Sequence, residues 1–127
     1  MMPENPNRQS NPRTPPSPVV RGGDFLFVST RCGRHNPDTG EKNTTIETQT
    51  TQCLKKMKKF LQEAGASFED IVQITVLLAN AQDIDAMNAT YQSYVMGRLP
   101  ARTVIVTPLA SPDMLVQMGC TAYHPVK

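Results

Sequence analysis

Two segments with helical periodicity, each placed between strand-like segments, constrain the fold of this chain more than any other feature. In residues 46–64, apolar side chains recur every three or four residues. The same spacing recurs in residues 84–95, where Asp83 is a suitable N-cap. The apolar face of this second segment comprises Ile84, Met87, Tyr91 and Tyr94 or Val95. Because both segments connect strands, we expect both helices to cover the same face of one mixed sheet. The sequence therefore predicts a two-layer α+β domain.

The first helix has start and stop signals. Thr44 and Glu47 have the spacing of a capping box, so we expect the helix to begin there, and Gly65 predicts its end. Its apolar stripe comprises Ile46, Cys53, Leu54, Met57, Phe60 or Leu61, and Ala64. Four lysines fall largely on the other side, namely Lys55, Lys56, Lys58 and Lys59. We interpret them as a solvated face, since the chain is close to neutral.

Five segments have strand patterns. Val19-Val20 and residues 25–29 flank a Gly22-Gly23 turn, which is typical of a hairpin. The other three are residues 71–78, 103–107 and 114–123, which are rich in β-branched residues or alternate in polarity.

Alternation in the last strand predicts which face of the sheet is buried. One set of side chains is small or apolar and should meet the helices: Met114, Val116, Met118, Cys120 and Ala122. Leu115 and Gln117 then point the other way, together with Leu77 and either Phe25 or Leu26. Such a face is too apolar to remain in contact with water, so we expect self-association to bury it.

Length and composition set the domain count and exclude several classes of protein. Six of the 11 prolines fall in residues 1–18, which favours a flexible arm followed by one domain over residues 19–127. The net charge of +2 does not favour nucleic acid as a partner. Neither a membrane-spanning stretch nor a secretory signal is apparent, so we expect a cytoplasmic protein without membrane contact.

The sequence lacks a self-sufficient catalytic motif or metal-binding pattern. Cys32, Cys53 and Cys120 are widely spaced, and we interpret them as reduced thiols. Cys32 and His35 could form a thiol–imidazole pair, but no third residue orients them, so that chemistry is disfavoured. His124 is expected to be exposed. We expect neither a metal nor a cofactor.

Arg102 is the strongest candidate for ligand binding. It follows Pro100 at the entrance to a strand, which would hold its guanidinium as a rigid fork for a carboxylate. Taken alone, an arginine at a strand end is more often a surface residue or an ion-pair partner.

Several short motifs occur in the order and approximate spacing of a known family. They are Gly23 to Ser29, Asn36 to Gly40, Gln49-Thr50 with Leu54, Ala64 to Ser67 followed by Asp70 to Val72, Met87 to Tyr91, and Pro100 to Thr103. The chain thereby resembles the Rid (reactive intermediate deaminase) or YjgF-like family, whose members were often labelled endoribonuclease L-PSP. The resemblance covers about Val19 to Ala122.

This resemblance implies a chorismate-mutase-like fold, assembled as a homotrimer around a central barrel with three sites at the subunit interfaces. It also implies cofactor-free hydrolysis of enamine or imine carboxylic acids to 2-oxo acids and ammonia. The implied substrates are small carboxylates similar to 2-aminoacrylate or 2-iminopropionate, or a related aminomuconate-type acid.

The resemblance further assigns candidate site residues. Arg102 matches the family arginine that binds the substrate carboxylate, and Asn88 matches the helix asparagine near the site. Ser29 matches the serine of a Ser-Gly pair in which Thr30 replaces the glycine, so that a side chain occupies a position of close backbone approach. Val104 stands where the family often has cysteine.

Gln117 aligns with the family glutamate that handles the hydrolytic water, and Pro16 or a neighbour aligns with a tyrosine. An amide can orient water but cannot accept its proton, so the replacement should cost a factor of roughly 10² to 10⁴ in rate. A non-catalytic trimeric protein that binds metabolites in the same Arg102 pocket is therefore the alternative. An RNA-acting protein is the least favoured interpretation.

Overall fold

Five strands and two α-helices make up the part of the chain that the computed structural model describes, residues 18–95, 97 and 99–126. In order they are β1 (Val19–Gly22), β2 (Phe25–Cys32), α1 (Ile46–Glu63), β3 (Ile71–Leu78), α2 (Ile84–Tyr94), β4 (Ala101–Val106) and β5 (Val116–Tyr123). The predicted α+β class is confirmed. The predicted arm, residues 1–18, lies outside the described residues except for Pro18. The candidate position Pro16 therefore also lies outside them.

The strand order across the sheet is β1-β2-β5-β3-β4. β3 and β4 are parallel and are connected through α2, whereas the other neighbouring strands are antiparallel. In the described part of the chain, β4 therefore forms one edge of the sheet. This order places β5 at the centre, with Gln117 directly between Cys32 of β2 and Leu77 of β3.

Both helices pack on one face of the sheet and share one apolar core with it. The alternating residues of the last strand segment, Met114 to Ala122, are buried on this face, as predicted. Leu26 is also buried here, with 2% of its surface exposed, so Phe25 is the residue that lies on the opposite face. Within the described residues, no helix is long and apolar enough to span a lipid bilayer.

The opposite face of the sheet is apolar and exposed. Phe25, Phe27 and Tyr123 keep 39%, 50% and 47% of their surface exposed. The Phe25 ring lies 5.4 Å from the Tyr123 ring in an edge-to-face arrangement, which forms a continuous aromatic patch. Nothing in the described part of the chain covers this patch. The apolar uncovered face is thus confirmed, and its burial by self-association stays a prediction.

The first helix begins one residue later than its capping signal predicts. Thr45, not Thr44, is the N-cap, and its hydroxyl accepts a hydrogen bond from the Thr48 backbone N–H at 3.1 Å. The Thr48 hydroxyl in turn accepts from the Thr45 N–H at 3.3 Å, so Glu47 takes no part in the box. Ile46, the first residue of the helix, is buried in the core with 7% of its surface exposed. Gly65, with φ of +87°, follows the helix end as predicted.

An irregularity in β2 shapes the exposed face. The pairing of β2 with β5 shifts between Val28 and Arg31, where Ser29 and Thr30 form a bulge opposite Gly119. A Cβ at position 119 would lie only 2.8 Å from both the Thr30 nitrogen and the Val28 carbonyl oxygen. The bulge can therefore approach β5 closely only because residue 119 is glycine.

Candidate functional site

Arg102 is held at the sheet edge by two residues of α2. It lies opposite Ile74 in the β3–β4 pairing, so its side chain projects from the face that the helices cover. Its Nη1 donates a hydrogen bond to Asn88 Oδ1 at 2.6 Å. Its guanidinium carbon lies 4.9 Å from the centre of the Tyr91 ring. Arg102 nevertheless remains exposed. The structure thus brings the predicted residues Arg102 and Asn88 together and adds Tyr91.

Tyr91 was predicted only as a core residue of the second helix. It is indeed buried, with 6% of its surface exposed, yet one face of its ring meets the Arg102 guanidinium. Burial raises the pKa of the Tyr91 phenol, an effect that the charge of Arg102 opposes, so the ring is neutral at pH 7. The spacing of Asn88 and Tyr91, three residues apart, places both on one helix face and is the sequence signal for this contact.

The contacts of Arg102 leave room for an anion. A guanidinium has five N–H donors in one plane, and the bond to Asn88 occupies one of its two terminal nitrogens. The Tyr91 ring lies 4.9 Å from the guanidinium carbon and supplies no oxygen or nitrogen acceptor in this contact. A planar carboxylate can therefore approach in the guanidinium plane and accept two parallel hydrogen bonds.

Gln117 lies on the other face of the sheet. It is half-buried between Leu77 and Cys32, and its amide nitrogen is 3.6 Å from the Met114 sulfur. The prediction that Gln117 points away from the helix-packed core is confirmed. Arg102 and Gln117 consequently project from opposite faces of one chain, and a small substrate cannot contact both of them in that chain.

The remaining predicted site residues, Ser29, Thr30 and Val104, also lie on opposite faces of the sheet. Ser29 and Thr30 are exposed at the bulge of β2, and they line an open cavity of about 380 Å³ on the uncovered face. Other polar side chains lining this cavity are Gln73, Thr75 and Thr121. Three strand spacings, about 14 Å, separate β2 from β4. Val104 lies two residues beyond Arg102 on the helix-covered face and is half-buried. Thr30, Val104 and Gln117 therefore do not line a common pocket within one chain.

The two histidines differ in their surroundings. Among the described residues, no hydrogen bond joins the Cys32 thiol to the His35 ring, and His35 is exposed. The expectation that His124 is exposed is wrong, since it is half-buried with Nδ1 3.4 Å from Asp70 Oδ2. The His124 N–H donates a hydrogen bond to the Asp24 carbonyl, and the His124 carbonyl accepts one from Arg21 of β1. These bonds hold the backbone of His124 beside the hairpin.

The buried cysteines are unreactive. Burial raises the pKa of both Cys53 and Cys120 to about 12, so their thiols stay protonated at neutral pH. Both contribute to the core as small apolar residues.

Gln49 fixes the loop that leads to Gln117. Its side chain is 1% exposed, and its Oε1 accepts a hydrogen bond from the Leu115 N–H at 2.8 Å. Its Nε2 donates to the carbonyls of Asn43 and Asp113, each at 2.9 Å. One amide thus joins α1, the loop before it and the entrance of β5. Sequence reasoning found Gln49 only as part of a family motif.

Gln49→Leu should destabilise the protein strongly. Leucine fills a similar volume but leaves the Leu115 N–H and two carbonyls without partners, which should cost roughly 2–4 kcal/mol in the free energy of unfolding. Urea denaturation at a fixed protein concentration measures the loss. Gln62→Leu is the matched control, because Gln62 is exposed on the same helix. Equal midpoints for the two variants would contradict this role of Gln49.

Charged groups reinforce the same loop. The Ser111 hydroxyl donates a hydrogen bond to the Asp113 carboxylate, and Arg34 Nη1 lies 3.3 Å from it. The Ser111 hydrogen bond, followed by the contact with Arg34, lowers the pKa of Asp113 to about 2. Because this pKa lies below its ordinary value, the carboxylate's contribution to stability is present above about pH 4 and is lost as the pH falls towards 2.

Comparison with known proteins places the chain in a family. The sequence profile described as endoribonuclease L-PSP matches residues 7–124. The chain belongs to this family, also known as YjgF, RutC or Rid. The match begins within the segment that the sequence predicted to be an arm. The family resemblance inferred from the sequence motifs is therefore confirmed.

Individual relatives agree with this assignment. A RutC family protein of Pyrococcus abyssi is 34% identical over 113 residues, which cover 88% of each chain. A mouse protein named 2-iminobutanoate/2-iminopropanoate deaminase is 33% identical over 90 residues, 69% of this chain and 65% of the mouse protein. The crystal structure of the YjgF gene product of E. coli superposes with a TM-score of 0.79 at 26% identity, covering 92% and 93% of the two chains. The fold is that of the YjgF proteins, and the family includes imine deaminases.

Proposed function

We propose that this protein is a cofactor-free hydrolytic deaminase of imine or enamine carboxylic acids, which it converts to 2-oxo acids and ammonia. The observation that carries the proposal is the exposed Arg102 guanidinium, which contacts Asn88 and Tyr91 and whose other N–H donors bond to no described residue. The imine deaminase among its relatives supports the same reaction class.

The proposed reaction needs little from the protein beyond positioning. Arg102 binds the substrate carboxylate and so fixes the neighbouring imine carbon. Water, oriented by the Gln117 amide, adds to this carbon and passes one proton to the imine nitrogen, which forms a tetrahedral adduct that carries a hydroxyl and an amino group. The amino group then takes up the hydroxyl proton, the C–N bond breaks, and ammonia leaves as the carbonyl forms. An enamine substrate first takes up a proton at its terminal carbon to become the protonated imine, which releases a proton from nitrogen to give the imine.

A complete site then requires more than one copy of the chain. Arg102 and Gln117 project from opposite faces of the sheet. A second subunit must therefore place its uncovered face, with Gln117 or with the Ser29–Thr30 bulge, next to the sheet edge that carries Arg102. The exposed aromatic patch supports such an association. We propose a homotrimer with its sites between subunits. Light scattering should give three times the chain mass, and a monomer would contradict this assembly.

Ammonia release tests the proposed reaction directly. Freshly generated 2-iminopropionate and 2-aminoacrylate should release ammonia faster with the protein than by spontaneous hydrolysis. Absence of acceleration at any protein concentration would exclude the deaminase. Gln117 favours one second candidate, a metabolite-binding protein, since an amide cannot act as a base. Pyruvate binding without acceleration would identify that function.

Asn88→Asp should weaken substrate binding. The new carboxylate would lie at hydrogen-bond distance from Arg102 Nη1 and would compete with the substrate for the guanidinium. We expect KM for the imine to rise roughly 10- to 100-fold, because a second carboxylate at the guanidinium repels that of the substrate. Asn88→Ala, which removes the contact without adding charge, should raise KM much less. Equal KM values for these two variants would show that the Asn88 contact does not control the guanidinium.

A further inference from the structure

We propose that Tyr91 is a positioning residue, which holds the Arg102 guanidinium ready for a carboxylate; this inference rests on the proposed function of Arg102. Tyr91 acts through Arg102 and not on the substrate. The observation is the position of the guanidinium carbon of an exposed arginine over a buried ring, 6% exposed, at 4.9 Å from the ring centre.

An exposed arginine on an edge strand would ordinarily sample many rotamers, and ordering it on ligand binding costs affinity. Here two contacts from one helix restrict it. Asn88 accepts a hydrogen bond from one terminal nitrogen, while the Tyr91 ring limits motion of the guanidinium on the side where the ring lies. The ring itself is fixed because it belongs to the apolar core between α2 and the sheet.

The contact with Tyr91 leaves hydrogen-bond donors of Arg102 available. Attraction between a cation and a ring acts through the face of the ring and uses no oxygen or nitrogen acceptor, whereas a carboxylate accepts hydrogen bonds from the guanidinium N–H groups. The ring contact and carboxylate binding can therefore occur together. Tyr91 should lower the dissociation constant of a carboxylate ligand and leave the bond-breaking step unchanged. The phenol hydroxyl has no part in this effect.

Pyruvate, a 2-oxo acid, is the probe for this inference, because its binding is measured by calorimetry whether or not the protein is a deaminase. Tyr91→Leu should raise the dissociation constant of pyruvate roughly three- to tenfold, the range expected for a partly exposed cation–π contact. Tyr91→Phe keeps the ring and should stay within about twofold of the unmodified protein. In the deaminase assay, Tyr91→Leu should raise KM by the same factor and change kcat by less than about twofold.

Two controls separate positioning from general damage. Tyr94→Leu alters a half-buried tyrosine in the next turn of α2 and should leave the pyruvate affinity unchanged. In an Arg102→Ala background, Tyr91→Leu should have no further effect, because its action passes through Arg102. Circular dichroism of each variant establishes that it is folded.

The outcomes distinguish this inference from the proposed function. If Arg102→Ala binds pyruvate as well as the unmodified protein does, the proposed role of Arg102 fails. If Arg102→Ala loses binding but Tyr91→Leu does not, Arg102 binds the carboxylate and Tyr91 does not position it. A loss in Tyr91→Phe equal to that in Tyr91→Leu would also overturn the inference, since it would assign the effect to the hydroxyl.

Discussion

Arg102→Ala should lower kcat/KM for 2-iminopropionate by roughly 10²- to 10³-fold. The guanidinium is the group that binds the substrate carboxylate, and truncating one partner of a hydrogen-bonded charge pair costs at least about 2 kcal/mol in binding. Loss of the anchor also releases the imine carbon from its position near the water, so kcat should fall as well as KM rise. The initial rate of ammonia release over a range of substrate concentrations measures both quantities.

Two further variants make this result specific. Arg102→Lys keeps the charge but loses the planar fork and the stack on Tyr91, so its activity should be intermediate. Arg31→Ala is the matched control, because Arg31 also lies over an aromatic ring, that of Phe60 at 5.8 Å, but at a distance from β4. Activity that is reduced equally in Arg31→Ala and Arg102→Ala would assign the loss to general destabilisation.

The sequence predicts the fold well where a local pattern is compatible with only one arrangement of the side chains. Alternation from Met114 to Ala122 identifies the buried face of β5, because a shift by one residue would expose the whole apolar set. The start of α1 shows the limit of such patterns. Thr44 with Glu47 and Thr45 with Thr48 have the same spacing, and the structure forms the second box. Spacing alone does not distinguish the two.

The candidate site is less predictable because its contacts join distant parts of the chain. Asn88 contacts Arg102 only because β4 lies beside β3 at the edge of the sheet. No local sequence pattern specifies this strand order. The role of Gln49 likewise depends on two loops that converge at one amide. Sequence motifs identify these residues as candidates. Only the strand register shows which of them lie on the same face of the sheet.

Gln117→Glu should increase the rate of imine hydrolysis, by up to roughly 10²- to 10⁴-fold if proton transfer from water limits the reaction. The amide can only orient the water, whereas a carboxylate can also accept its proton. The position suits a base, because residue 117 is half-buried between Leu77 and Cys32, and desolvation raises the pKa of a carboxyl towards neutrality. The pH profile of kcat should then show a rise with increasing pH that the unmodified protein lacks.

Gln73→Glu is the matched control for this gain. Gln73 is another half-buried amide on the uncovered face, where it donates a hydrogen bond to the Thr75 hydroxyl at 2.9 Å. A rate increase confined to Gln117→Glu would show that residue 117 contacts the reacting water. Equal rates for the unmodified protein, Gln117→Glu and Gln73→Glu would show that residue 117 takes no part in the reaction. A lower rate in Gln117→Glu would mean that the site requires a neutral group at position 117. Since Gln117 and Arg102 project from opposite faces of one chain, a gain that also depends on Arg102 would require a site shared between subunits.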